Sequence, residues 1–323
     1  MPGFVSPQFM KEALFVKQNS EKWQHFDQMQ HANPDELADR FIEIANDLAY
    51  AKTFYPDSKT TAYLNGLASK LHQTVYKNKK EQSNRFIHFW KTELPMVFLR
   101  HRKEIVYALA FFLISCAIGA LSAKYDDTFV RLIMGDGYVN MTNENIAKGD
   151  PFGVYKQQNE FLMFLQIASN NIFVALYTFV LGILLSFGSI MSLFRNGIML
   201  GSFQYFFFSK GLGLQSVLVI WIHGTLEISA IVLAGAAGLV LGNSILFPKT
   251  YTRMESFARG GKDGLKMVLG LIPIFIIAAF FESFVTRHTE MPAWLSSAIL
   301  LCSATFMVWY ILIYPIKQSK KHA

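Results

Sequence analysis

The chain has 323 residues, of which 52% are hydrophobic and only 16% charged. A soluble domain carries about a quarter charged residues, so the deficit points towards lipid and away from an ordinary soluble fold. The formal net charge is +7, but most surplus cations abut apolar runs. That placement fits anionic headgroups, so the lipid bilayer is the expected partner and nucleic acid is not.

Taken in chain order, the first part is polar. Met1 to Gln30 lacks a continuous apolar core followed by a small-residue cleavage site, so no cleavable signal peptide is expected. Residues 1–83 read as a cytoplasmic helical domain. Phe9, Ala13, Val16, Trp23 and Phe26 follow helical spacing. Asn33 and Pro34 resemble a helix start. Leu37, Phe41, Ile44, Leu48 and Ala51 form a second stripe ending near Pro56, and Tyr63, Leu67, Leu71 and Val75 form a third. These stripes read as the core of a small hairpin or bundle; a face for docking a partner is the other reading.

Residues 84–104 mix an apolar face (Phe86, Phe89, Trp90, Leu94, Val97, Phe98) with Arg85, Lys91, Arg100, Arg102 and Lys103. That pattern predicts an interfacial amphipathic helix, bent near Pro95, that leads into the first span.

A helix crossing the hydrocarbon needs about twenty mostly apolar residues. The spans are expected at about 105–122, 172–194, 197–214, 217–241, 265–285 and 294–314, within a transmembrane domain of 105–316 and before a basic tail of 317–323. The third, Gly197–Phe208, is short and precedes Lys210, Gly211 and Gly213, so it reads either as a span or as a re-entrant hairpin. Charge decides between them. Arg100, Arg102 and Lys103, then Lys249, Arg253, Arg259, Lys262 and Lys266, then Lys317, Lys320 and Lys321 all face the cytoplasm only if the total is six. The expected fold is therefore all-α: a polytopic membrane protein with about six transmembrane helices and both termini cytoplasmic. The expected location is the bacterial inner (cytoplasmic) membrane. Residues 123–160 become an acidic external loop, long enough for a short helix.

Cys116 and Cys302 lie in apolar runs and suggest neither a disulfide framework nor a metal site. Ionisable groups inside the membrane carry more information, because each must be paired, neutralised or functional. His223 and Glu227 lie four apart on one helical face, continued by the small residues Ala230, Ala234, Gly238 and Gly242. With the inferred directions, Asn171, Gln204, His223, Glu227 and Glu282 are expected to form one intramembrane cluster, with His223 facing a carboxylate. A satisfied polar network, a proton or ion relay, and a metal site all remain open for it. The spacing is not HExxH, so no metal site, cofactor or catalytic residue is assigned. Nothing resembles GxSxG or a phosphate-binding GxxxxGK[ST] loop, and no enzyme activity is expected. Gly238-x-x-x-Gly242 and Gly197-x-x-x-Gly201 suit internal packing or a homo-oligomer.

Several segments occur in a telling order: Phe15-Val16 before Trp23, Asp47-Leu48-Ala49-Tyr50-Ala51, Asn170-Asn171, Asn196-Gly197-Ile198-Met199-Leu200-Gly201, His223-Gly224-Thr225-Leu226-Glu227, and Ala278-Ala279-Phe280-Phe281-Glu282. Together they resemble the stage II sporulation protein M family of integral membrane proteins. The resemblance implies a membrane scaffold: the namesake acts in engulfment with peptidoglycan-degrading partners. Relatives in organisms that form no spores are often encoded near MoxR-type ATPases, and the long N-terminal domain here is more like theirs. The motif Asn196, Gly197, Gly201 and Gly224 carries over by position, as do His223, Glu227 and Glu282, without an established catalytic role. The leading expectation is a scaffold that recruits other membrane or envelope proteins. The alternative is a transporter or ion- or proton-conducting component that uses the His/Glu cluster.

Overall fold

The computed structural model describes residues 10–28, 34–77, 85–156, 159–287 and 291–320. The described residues are helical, with no strand among them. The chain divides into two compact units, 1–85 and 86–323.

The first unit contains α1 (Glu12–Gln28), α2 (Pro34–Phe54) and α3 (Lys59–Lys77). Phe15, Trp23, Leu37, Ile44, Ala51, Leu67 and Leu71 are buried together, so these stripes are a core. Two expected members differ: Ala13 and Tyr63 are exposed. In α1 the buried face starts instead at Phe15, whose ring meets Trp23 edge-on at 5.4 Å. Polar links hold the helices in register. Trp23 Nε1 donates to Asp47 Oδ2 at 2.8 Å, and Thr60 Oγ1 donates to Glu12 Oε1 at 2.7 Å. Ser58 caps α3 by accepting from Thr61 N at 3.1 Å. Phe9 and Asn33 lie outside the described residues, as does the side chain of Val75.

The second unit opens with α4 (Arg85–His88), a π-helical turn (Phe89–Glu93) and α5 (Leu94–Arg100). Pro95 stands in the first turn of α5, where a missing N–H costs little. Protein packing anchors this segment: Leu94, Val97 and Phe98 are buried in the main core. Tyr310 OH donates to Trp90 O at 2.6 Å, Trp90 Nε1 to Gly270 O at 3.3 Å, and Lys266 Nζ to Glu93 Oε2. The hydrogen bond from Lys266 holds the Glu93 carboxyl below its ordinary range, against the opposing effect of burial.

The long helices follow: α6 (Arg102–Tyr125), then α7 (Asp127–Met134) and α8 (Asp136–Ala147), then α9 (Glu160–Val180) and α10 (Phe187–Ser209). After them come α11 (Gly213–Leu246), α12 (Arg253–Phe280), α13 (Ala293–Val308) and the short α14 (Tyr314–Ser319). Among the described residues, five helical segments are long and apolar enough to cross a membrane: Arg102–Tyr125, Glu160–Ile183, Gly213–Leu246, Arg253–Val285 and Ala293–Ser319. The helix α10, with Arg195, Asn196 and Gln204, is not among them.

Two expected boundaries are corrected. The apolar run 172–194 is not one helix: α9 and its 3₁₀ extension end at Ile183, and the chain turns at Leu184–Ser186 before α10. Leu185 and Ser186 take φ of 52° and 70°, a left-handed conformation that L side chains rarely adopt. No proline or polar cluster marks this turn. Tertiary packing holds it, with Ser186 buried against α11. The segment expected at 197–214 falls in α10, which begins earlier, at Phe187. The expected external loop 123–160 is mostly helical, and Phe152 stacks on Phe207 at 5.5 Å.

The helices meet backbone to backbone at small residues. A Cβ on Gly201 would lie 2.0 Å from Cys116 O, and one on Gly182 would lie 2.2 Å from Gly238 O. Gly197 faces Phe112 and Ser115 while Gly201 faces Cys116 and Ala120, so α6 and α10 run parallel. Both GxxxG pairs are therefore used inside the chain. Gly224 differs, because nothing lies within 4 Å of its added Cβ. Gly201→Ala should lower stability by about 1–3 kcal/mol, read as a fall in melting temperature in detergent. Gly224→Ala should be neutral or gain up to about 1 kcal/mol from helix propensity. Equal losses from the two would contradict this packing.

Candidate functional site

Three helices converge at the site. The seam on α11 brings α9 alongside in parallel: Asn171 lines the same cleft as Glu227, and further along Gly182 meets Gly238. The helix α12 runs the opposite way, placing Gly264 against Ala237 and Glu282 beside His223. Glu282 sits in a π-helical turn, Phe281–Val285, where Thr286 N donates to Phe281 O at 2.8 Å. That wider turn rotates the side chains after Phe280 relative to an unbroken α-helix, and such turns recur at functional sites.

The ligating atoms of His223, Glu227 and Glu282 all lie within 4.8 Å of one another. His223 Nε2 is 3.9 Å from Glu282 Oε2, while Nδ1 is hydrogen-bonded to Thr286 Oγ1 at 3.0 Å. His223 is 4% exposed and Asn171 6%. Two carboxylates this close repel each other, on the order of 3 kcal/mol at an effective dielectric of about 20. No lysine or arginine forms an ion pair with Glu227 or Glu282 among the described residues.

Two members of the cluster, Glu227 and Glu282, line an open cleft of ≈ 800 Å³ together with Gln166, Ser169, Asn170 and Asn171 among others. Arg287 Nη1 donates to Glu160 Oε1 at 2.9 Å, joining the start of α9 to the chain just after the Glu282 turn. Burial raises the phenol of Tyr138 on α8 above its ordinary value, against a hydrogen bond with Thr142 and with a smaller push from the Glu282 carboxylate.

Four of the five expected cluster members thus come together: Asn171, His223, Glu227 and Glu282. Gln204 does not. Its Nε2 donates to Ser216 Oγ at 2.7 Å and its Oε1 accepts from Trp221 Nε1 at 3.0 Å, joining the end of α10 to the start of α11. A mid-span depth alone did not distinguish the two faces of α10. Asn196 is also apart, donating to Ser192 O within its own helix at 2.8 Å. Thr286 and Tyr138 were not legible, Thr286 because it follows the apolar run and Tyr138 because it lies in the presumed loop.

A bundle of apolar helices enclosing a His/Glu cluster defines a multi-pass α-helical membrane protein. The family described as Stage II sporulation protein M matches residues 108–287. The chain belongs to that family, as its motifs suggested. A second family, described as Domain of unknown function (DUF8413), matches residues 13–77, within the first unit. No curated protein and no solved structure matches the chain.

Asn171 lines the cleft, whereas Gln204 bonds to Ser216 and Trp221. The losses in Asn171→Leu and Gln204→Leu should therefore add to within about 0.5 kcal/mol in the double variant. Asn171→Leu and Glu227→Gln should be non-additive, since the two side chains line the same cleft. Chemical or thermal denaturation in detergent reads both cycles, and coupling between Asn171 and Gln204 would restore Gln204 to the cluster.

Proposed function

We propose that this protein is a non-enzymatic scaffold of the bacterial cytoplasmic membrane that recruits protein partners in a cell-envelope process. The observation that carries this reading is the close packing of α6 on α10 and of the α9–α10 turn on α11: a methyl group at Gly182, Gly201 or Gly242 would meet the backbone of a neighbouring segment at 2.0–2.2 Å, and one at Gly238 would meet Ser189 Oγ at 2.0 Å. Helices joined this closely move as one body and suit a fixed platform better than the rocking of a transport cycle. The platform carries two elements for partners to engage: the helical unit of α1–α3, with its own core, and the acidic excursion formed by α7 and α8.

In this reading the chain crosses the membrane six times with both termini cytoplasmic. The helix α10 has 23 residues, about 34 Å of rise, enough for a hydrocarbon core of about 30 Å. Parallel α6 and α10, parallel α9 and α11, and antiparallel α12 fit alternating crossings. Basic residues support the orientation. Arg100 and the Lys249–Lys266 loop line one cleft, and Arg102 and Lys103 line another beside Ser319. The positive-inside rule places that end in the cytoplasm.

Cross-linking in the native membrane, followed by purification of the full chain and identification of the captured proteins, tests the scaffold. Envelope proteins should be recovered reproducibly, and fewer should be recovered when α1–α3 are deleted. Recovery of the chain alone would overturn the reading. For orientation, Asn140→Cys should react with a membrane-impermeant maleimide on intact cells. Lys320→Cys should react only after permeabilisation, and the reverse pattern would invert the topology.

A further inference from the structure

The His223–Glu227–Glu282 cluster supplies more than a polar network requires. Register alone would be served by one hydrogen bond across each interface. Here one nitrogen donor and two carboxylates, from two helices, converge within 4.8 Å. With Nδ1 of His223 protonated and donating to Thr286 Oγ1, Nε2 presents its lone pair towards Glu282. That is the second-shell arrangement by which a hydroxyl or carboxylate orients an imidazole ligand. Asn171 lines the cleft beside Glu227. Beside Glu282, the fully buried Ser283 Oγ has no hydrogen-bond partner among the described residues.

We propose that His223, Glu227 and Glu282 bind a divalent transition cation of the zinc class. The charge argument and the donor argument agree. Two adjacent half-buried carboxylates with no Lys or Arg ion pair among the described residues are neutralised by one dication. Imidazole and carboxylate oxygen are ligands that zinc accepts at about 2.0–2.2 Å. Tetrahedral coordination at those lengths needs the donor atoms about 3.5 Å apart. The present 3.9 Å from His223 to Glu282 and the 4.8 Å limit for all three close to that by small rotations of two glutamate side chains. Three protein ligands leave a fourth position, on the side where Ser169, Asn170 and Asn171 line the cleft. Water from the outer surface fills it. The sequence spacing hides this site, since only two of the ligands share a helix and the third is 55 residues further on.

The test uses the full chain in detergent, stripped with a chelator and then titrated with zinc sulfate, with bound metal measured by mass spectrometry after gel filtration. One zinc per chain is expected. Glu227→Gln and Glu282→Gln, which keep the side-chain shape, should each weaken binding at least about 100-fold; Thr286→Val, acting through the imidazole, about 10-fold. Gln204→Leu, outside the cluster, should bind as the unaltered chain does. Cobalt loading provides a second reading in the unaltered protein: intense visible ligand-field bands that zinc displaces. A folded, monodisperse chain that retains no zinc overturns the proposal and leaves a shared proton as the neutralising species. Unchanged affinity in both glutamine variants overturns it too, because the metal would then lie elsewhere.

Discussion

Everything in the membrane unit depends on how closely other helices approach α11. Lipid tails are as apolar as leucine side chains, so burying leucine gives little drive for helices to associate in a bilayer. Dispersion between closely fitted backbones must hold them. Small residues permit that approach. Ala230, Ala234, Gly238 and Gly242 follow one face of α11, and all four are buried. Gly182 and Ser186 meet this seam from the α9–α10 turn, while Gly260 and Gly264 on α12 meet α11 from another side. The strained turn at Leu185 and Ser186 follows from the same demand. Two residues in left-handed conformation cost on the order of 1–3 kcal/mol each, and they persist because α10 must turn back where α11 holds the chain.

How much of this could be read in the sequence depends on the kind of signal. The His223–Glu227 pair and its seam were legible because helical periodicity is a property of one helix. Glu282 was legible through direction: alternating crossings bring it to the depth of His223, and the structure sets the two 3.9 Å apart. The rotation of α10 was not legible, and Gln204 therefore faces Trp221 and Ser216 rather than the cluster. The break at 184–186 was hidden because Leu184-Leu185-Ser186 carries no turn chemistry of its own. Tertiary packing overrode the local pattern there. In the first unit the stripe on α2 and the Leu67–Leu71 part of the α3 stripe were legible, while Tyr63 is exposed and α1 began its buried face two residues later than spacing suggested, at Phe15 instead of Ala13.

Three π-helical turns, at Phe89–Glu93, Phe281–Val285 and Trp309–Ile313, share a physical logic. Each widens a helix by about one residue and so re-aims the side chains beyond it. Two of them meet: the Trp90 carbonyl, in the first, accepts from the Tyr310 hydroxyl, in the third. These hydrogen bonds join the segment before α6 to the end of the last long helix. The second turn aims Glu282 and Thr286 at His223. Periodicity at 3.6 residues cannot anticipate a local register change, which is why Thr286 belongs to the site without any signal in the apolar pattern.

The same helix, α11, therefore serves two zones along its length. From Ala230 onward its facing residues are alanine and glycine, and neighbouring backbones close upon it. Before Ala230 the face carries His223 and Glu227, side chains that hold α9 and α12 further away. The cleft opens at that step in side-chain size, between residues 166–173 of α9, Glu227 of α11 and Glu282 of α12. The close-packed zone fixes the helices so that the wider zone has a defined shape. A His and two carboxylates brought together on a rigid frame keep their separation without spending conformational entropy when a ligand arrives. The scaffold reading and the cation site are thus compatible, since both require a membrane body that does not rearrange.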